Sequence, residues 1–173
     1  MYKYILSIFI IASLIACKDN KPKSTGFDLN EAKVKSNDLI AQIKQDTFLR
    51  DTLVINKVIN HAVALSDNAR TDTSFGYFLM QAGKIAKSTG QPGKAVYIWG
   101  TVVDYKCQYS PEALFFQGFT IDSDGRDTAM ARTYYEKFLK NYPNHPLSEQ
   151  VNQLLGVLGK SPEDLIKSFQ KNK

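Results

Sequence analysis

The sequence predicts an all-α fold, a stack of about three antiparallel helical hairpins that together form a short α-solenoid. Apolar residues recur at helical spacing along most of the chain, and apolar and polar residues nowhere alternate for more than a few positions. Short polar segments separate the helical patterns, and an internal repeat of 35 to 36 residues relates two of the hairpins. We therefore expect one helical domain over residues 28–173.

The first 16 residues have the properties of an export signal. Lys3 supplies a positive charge, and residues 5–16 form an uncharged apolar run. The run is short for a membrane-spanning helix, which needs about 20 apolar residues. It ends in Leu14-Ile15-Ala16-Cys17, which resembles the lipoprotein box of bacteria. The resemblance implies cleavage before Cys17 and lipid attachment to its sulfur, and the alternative is an uncleaved anchor with an incidental cysteine.

Residues 17–27 are predicted to form the lipidated start of the mature chain and a flexible tether, since they are polar and contain Pro22 and Gly26. The whole chain has 22 basic and 17 acidic side chains, a balance that does not favour nucleic-acid binding. If Cys17 carries lipid, Cys107 has no partner within the chain, which excludes a disulfide framework. We expect Cys107 to be a half-buried, small apolar residue at a helix end.

Helical spacing and stop signals place the elements of the domain. In chain order, the expected helices cover residues 29–45, 51–65, 75–87, 94–107, 110–121, 128–142 and 147–158. Each pattern has apolar residues at i, i+3 and i+4 on one face. The polar segment 66–72 and the turn 89–93 separate the second, third and fourth helices, and residues 122–127 turn the chain after the fifth.

Proline-containing signals mark several boundaries. In Ser110-Pro111-Glu112, Ser stands at the expected cap and Pro at the first helical position. Ser161-Pro162-Glu163-Asp164 repeats this signal with an acidic residue at the third position, and it predicts a short final helix. Pro143 and Pro146 end the helix that precedes them.

The internal repeat relates the hairpins position by position. Gly83, Ala95, Trp99 and Val102 in one hairpin correspond to Gly118, Ala131, Tyr135 and Phe138 in the next. The offset is 35 residues for the glycines and 36 for the others. The same offset places Ile59 and Val63 in the core of an earlier unit.

These positions resemble the tetratricopeptide repeat, a helix-turn-helix unit of about 34 residues. Ala131, Tyr135 and Pro143 match the pattern of its second helix, whereas Cys107 stands at the proline position of the preceding unit. The resemblance implies small residues where helices approach closely and an aromatic wedge between hairpins. The alternative is an unrelated helical bundle.

Together with the lipoprotein box, the repeat is similar to the tetratricopeptide lipoproteins of Gram-negative outer membranes, including the assembly lipoprotein of the β-barrel insertion machinery. The aromatic-rich run 134–143 is typical of that group. The family presents a partner-binding groove along the first helices of its hairpins. Counting from Gly83 and Gly118 nominates Tyr77, Met80, Lys84, Lys87, Phe115, Phe119 and Asp122. The alternative is that the aromatic residues among these belong to the core.

No catalytic or metal-binding constellation is evident in the sequence, and we expect neither a cofactor nor a metal. Gly125 could be the sixth residue of a calcium loop, but Thr120 and Ala131 would then stand where carboxylates are needed. We expect a solvated turn and a helix cap from Asp127. His61 and His145 do not form a metal-spaced pair, and no glycine-rich phosphate loop is present.

The sequence thus predicts a non-enzymatic, lipid-anchored scaffold or adaptor that binds another protein or peptide. It would lie in the cell envelope, on the periplasmic side of the Gram-negative outer membrane. Three alternatives are an accessory subunit of an outer-membrane assembly or secretion machine, a cell-wall hydrolase and a carrier of small ligands.

Overall fold

The computed structural model describes residues 26–45, 51–161, 163, 164 and 167. All regular secondary structure in these residues is helical. The α-helices are α1 (Leu29–Gln45), α2 (Thr52–Asn68), α3 (Gly76–Ser88), α4 (Pro92–Asp104), α5 (Ser110–Ser123), α6 (Thr128–Asn141) and α7 (Ser148–Val157). A single-turn 3-10 helix, Thr73–Phe75, precedes α3. The predicted signal peptide, Cys17 and almost all of the tether lie outside the described residues, as does most of the predicted final helix.

Consecutive helices pack against one another in pairs. α1 packs on α2, α3 on α4 and α5 on α6, each pair contacts the next, and α7 closes the stack against α6. The three-residue link between α3 and α4 reverses the chain, with Gly90 in the left-handed region at φ 76°. The all-α stack of helical hairpins predicted from the sequence is confirmed.

Aspartate side chains cap the starts of four helices, namely Asp28 at α1, Asp51 at α2, Asp72 at the 3-10 helix and Asp127 at α6. Asp51 caps α2, where its Oδ1 accepts a hydrogen bond of 2.8 Å from the amide of Leu53. Asp127 caps α6 by accepting from the amide of Met130 at 2.9 Å. The predicted cap from Asp127 is therefore confirmed.

The boundaries around α4 differ from the prediction. The helix begins at Pro92, two residues early, because proline fits the first turn of a helix. It ends at Asp104, three residues before the predicted end at Cys107, since Lys106 has left-handed backbone with φ 50°. Cys107 is half-buried and free, but it lies in the turn between α4 and α5.

Ser110 has a different role from the predicted cap of α5. It is the first residue of that helix. Its hydroxyl accepts from the amide of Cys107 at 2.8 Å and donates to the carbonyl of Val102 at 2.7 Å. The side chain therefore joins the start of α5 to the C-terminal end of α4.

Both repeats place the aromatic ring of the second helix against the glycine of the first. A Cβ added to Gly83 would lie within 2.7 Å of Cδ1 of Trp99, and one added to Gly118 would lie 3.0 Å from Cε1 of Tyr135. These glycines allow the helix backbones to approach closely enough for each ring to lie against them. The indole N–H of Trp99 donates to the carbonyl of Met80 at 3.4 Å, which also fixes the ring on α3.

The other predicted core positions are also inaccessible to solvent. Ala95, Trp99, Val102, Ala131, Tyr135 and Phe138 are all 0% exposed. Ile59 is buried and Val63 partly buried, whereas Pro143 is exposed and follows the end of α6 by two residues. Phe116 and Val103 contact both the apolar cluster of α1 to α4 and that of α5 to α7, so the core is continuous along the stack.

Candidate functional site

A groove lies between α3 and α5, the first helices of two successive hairpins. It has a volume of about 280 Å³ and is lined by Lys84, Lys87, Ser88, Trp99, Phe116 and Phe119. We call these six residues the α3–α5 groove. Trp99, which is fully buried, belongs to α4 and forms its floor.

Lysine ammonium groups lie over the two phenylalanine rings of the groove. The Nζ of Lys84 is 5.3 Å from the ring centroid of Phe116, and the Nζ of Lys87 is 5.5 Å from that of Phe119. Cation–π contacts of this kind contribute about 0.5–1 kcal/mol each at exposed sites. Each ring is thus partly covered by a lysine ammonium group, and because both rings are partly exposed, a partner could reach them.

Contacts beneath the groove hold its aromatic residues in place. The ring of Phe116 stacks on Trp99 with centroids 5.2 Å apart and planes 25° from parallel. Lys87 forms an ion pair with Asp124, and its Nζ donates to Ser123 Oγ at 3.3 Å. These contacts join the end of α3 to the end of α5, so the groove is formed before any partner binds.

Three of the residues nominated from the sequence line this groove, namely Lys84, Lys87 and Phe119. Their role in binding stays a prediction. Phe115 does not line it, because this ring is only 6% exposed and packs edge-on against Phe138 with centroids 6.5 Å apart. Phe116, which the sequence reasoning missed, takes its place. Met80 is 1% exposed, so the expectation that it faces a partner is wrong.

Tyr77 and Asp122 also lie outside the α3–α5 groove. Tyr77 is exposed and lines a separate cleft between α1 and α3, with its ring 6.1 Å from that of Tyr109. Asp122 accepts a hydrogen bond of 3.3 Å from the hydroxyl of Tyr135. Burial, together with this carboxylate, raises the pKa of Tyr135 well above its usual range, so the hydroxyl keeps its proton and remains a donor. The acidic residue that contacts the groove, through its ion pair with Lys87, is therefore Asp124 instead of Asp122.

His61 joins α1 to α2 within the core. Its Nε2 lies 3.0 Å from Ser36 Oγ and 3.2 Å from the carbonyl of Ala32. Because Ser36 already donates to Ala32 at 2.8 Å, we assign the ring proton to Nε2. Burial lowers the pKa of His61, and the nearby charge of Lys35 lowers it further, which favours the neutral ring. These contacts give His61 a structural role.

His145 has partners in the turn after α6. Its Nδ1 accepts a hydrogen bond of 3.2 Å from the amide of Leu147, and its ring packs edge-on against Phe138. Within the part of the chain that the structure covers, no group of three or more His, Cys, Asp or Glu residues could hold a metal ion. No helix in that same part is both long and apolar enough to cross a membrane.

Comparison with known proteins gives no relative for this chain. No protein-family model, curated protein or solved structure matches it.

Proposed function

We propose that this protein is a lipid-anchored, non-catalytic adaptor that binds a segment of another protein in the α3–α5 groove. The proposal places it on the periplasmic side of a Gram-negative outer membrane. The observation that carries it is the groove itself, in which two partly exposed phenylalanine rings lie beneath two lysine ammonium groups between successive hairpins. The anchor is supported by the sequence pattern that ends at Cys17.

The groove has the energetic features of an interface centre. Aromatic side chains that a partner covers are the usual anchors of protein binding, at about 2 kcal/mol or more each. Phe116 is already held by Trp99, so binding would not need to order its side chain. Lys84, which has no ion-pair partner among the described residues, would favour encounter with a partner segment of negative charge and affect the association rate more than the affinity, whereas Lys87 is already paired with Asp124.

Removal of the two partly exposed rings of the groove should strongly weaken partner binding. In the double variant Phe116→Ala/Phe119→Ala, we expect affinity to fall at least about 30-fold, which corresponds to about 2 kcal/mol for one lost anchor. Proteins that cross-link to the wild-type and variant chains in intact envelopes are identified and quantified. Each such protein is then purified on its own and titrated with the two chains to measure the affinity. Proteins lost with the variant are candidate partners of the groove.

Two exposed apolar side chains outside the groove provide a matched control. Tyr97 is 39% exposed and Met130 49% exposed. The double variant Tyr97→Ala/Met130→Ala should keep the same partners at unchanged affinity. A folded Phe116→Ala/Phe119→Ala protein that retains every partner would place the binding surface elsewhere and refute the groove proposal.

The anchor is tested separately at Cys17. We expect Cys17→Ser to yield an uncleaved chain without acyl mass, since acylation needs the thiol. The chain would then also lose the membrane attachment to which each buried acyl methylene contributes about 0.8 kcal/mol. Intact-mass spectrometry of the envelope protein gives the readout. Cys107→Ser serves as the control and should remain fully acylated. Acyl mass on the Cys17→Ser protein would contradict the anchor.

A further inference from the structure

A second charged surface opens between the C-terminal ends of α4 and α6. This cleft has a volume of about 670 Å³. Its polar lining consists of Asp104, Lys106, Cys107, Lys137, Lys140 and Asn141. We call these residues the basic cleft, because three lysines face one aspartate.

The three lysines of the basic cleft are exposed, and none of them forms an ion pair with another described residue. Lys137 and Lys140 lie near the C-terminal end of α6, where a positive charge interacts favourably with the negative end of the helix dipole. That explanation does not extend to Lys106, which lies outside a helix and has left-handed backbone with φ 50°. The cleft therefore keeps a positive charge that its own residues do not neutralise.

The basic cleft lies at the end of the stack where α1 begins. Near the start of α1, the Nζ of Lys33 is 3.0 Å from Asp72 Oδ2, in the turn before α3. A Cβ added to Gly76, the first residue of α3, would lie 3.3 Å from the sulfur of Cys107 in the cleft. The beginning of α1, the beginning of α3 and the cleft thus share one end of the molecule.

The position of this end relative to a lipid on Cys17 is limited by chain length. Twelve residue steps separate Cys17 from Leu29, the first residue of α1. Even a fully extended chain spans at most about 3.5 Å per residue, or about 40 Å here. An anchor at Cys17 would therefore keep this end of the stack near the membrane surface.

We propose that the basic cleft binds the phosphate head groups of anionic lipids and holds this end of the stack against the membrane. This orientation rests on the anchor in the proposed function, whereas recognition of the head groups rests on the three lysines alone. Each lysine close to an anionic surface increases local association about fivefold at moderate salt. The three lysines of the cleft act together, and added salt should weaken their attraction to the anionic surface.

The test uses the full chain with Cys17→Ser, in which Cys107 is the sole remaining cysteine. The protein is mixed with vesicles of phosphatidylcholine alone or of phosphatidylcholine with phosphatidylglycerol. Two readouts are followed, alkylation of Cys107 and acetylation of individual lysines by mass spectrometry. We expect both reactions in the basic cleft to become about tenfold slower with the anionic vesicles only, and high salt to reverse the effect. Lys94 and Lys160 provide internal controls, since both are exposed and lie outside the cleft.

Matched variants separate position from total charge. Lys106→Gln/Lys137→Gln/Lys140→Gln should remove the protection of Cys107, whereas Lys57→Gln/Lys94→Gln/Lys160→Gln loses the same charge and should retain it. Lys137→Glu alone should also weaken the protection, so the test does not depend on the folding of one triple variant. Because this chain lacks the acceptor thiol at Cys17, its result is independent of lipidation, and the apolar residues 5–16 that it retains are the same in every variant and with both kinds of vesicle.

Several results would overturn the proposal. Equal protection by neutral and anionic vesicles would exclude recognition of charge. Equal loss in the two triple variants would show that only net charge matters. Protection of the cleft by inorganic phosphate without vesicles would identify a site for a soluble anion instead of a lipid surface. Absence of acyl mass on the wild-type chain would refute the anchor but leave the vesicle result valid.

Discussion

Trp99→Ala is expected to lower the free energy of unfolding by about 3–5 kcal/mol, among the largest effects of any single truncation in this chain. The side chain is 0% exposed and extends from α4 against Gly83 of α3 and Phe116 of α5. Its removal would leave a cavity against Gly83 that no neighbouring side chain fills, because glycine has none. It would also leave the stacked face of Phe116 and the carbonyl of Met80 without their contacts.

Denaturant titration followed by circular dichroism gives this free energy directly. Tyr97→Ala provides the control, since Tyr97 lies two residues earlier on the same helix and is 39% exposed. Its loss should cost about 1 kcal/mol, because the ring is partly exposed and its hydroxyl forms only solvent-exposed hydrogen bonds, with Asp67 and Arg70. An equal cost for the two variants would show that Trp99 is not the wedge between the hairpins.

The packing of the repeats could be predicted from sequence because spacing alone determines it. Gly83 and Trp99 are 16 residues apart and Gly118 and Tyr135 are 17 apart, on either side of a tight turn. Two antiparallel helices joined by such a turn bring these positions together whatever the identity of the remaining residues. The same logic correctly predicted burial of Ala95, Val102, Ala131 and Phe138.

The face of α5 could not be predicted in the same way. Phe115, Phe116 and Phe119 belong to a helix that is apolar on almost every side, so periodicity does not distinguish the groove from the core. Phe115 packs against Phe138, whereas Phe116 packs against Trp99. These two neighbouring residues differ by only one helical position, or about 100° around the helix. The packing of α4 and α6 on α5 decides which ring is covered.

Contacts between distant residues account for other differences from the sequence prediction. The ion pair of Lys87 with Asp124 joins residues 37 positions apart, and no local pattern distinguishes Asp124 from Asp122. The end of α4 has neither glycine nor proline, the usual signals of helix termination. The left-handed Lys106 and the hydrogen bonds of Ser110 terminate it instead, so the position of the basic cleft was not visible in the sequence.

Gly83→Ala is expected to destabilise the protein by about 1–3 kcal/mol, although the same change usually stabilises a helix. In an exposed helix interior, Gly→Ala adds roughly 0.5–1 kcal/mol because alanine restricts the unfolded chain. At Gly83 the new Cβ would overlap the indole of Trp99, within 2.7 Å of its Cδ1. The ring cannot move aside, since it is fully buried and stacked on Phe116. α3 and α4 must therefore separate, which weakens the packing of the whole hairpin.

The sign of the change makes Gly83→Ala a sharp test of the repeat register. Gly156 in α7 offers the matched control, because a Cβ added there meets nothing within 4 Å. Gly156→Ala should raise the denaturation midpoint while Gly83→Ala lowers it, and Gly118→Ala should lie between them, since its Cβ would be 3.0 Å from Tyr135. A midpoint that rises for Gly83→Ala would mean that Trp99 does not lie against this glycine. The close approach of α3 and α4, and with it the floor of the α3–α5 groove, would then be wrong.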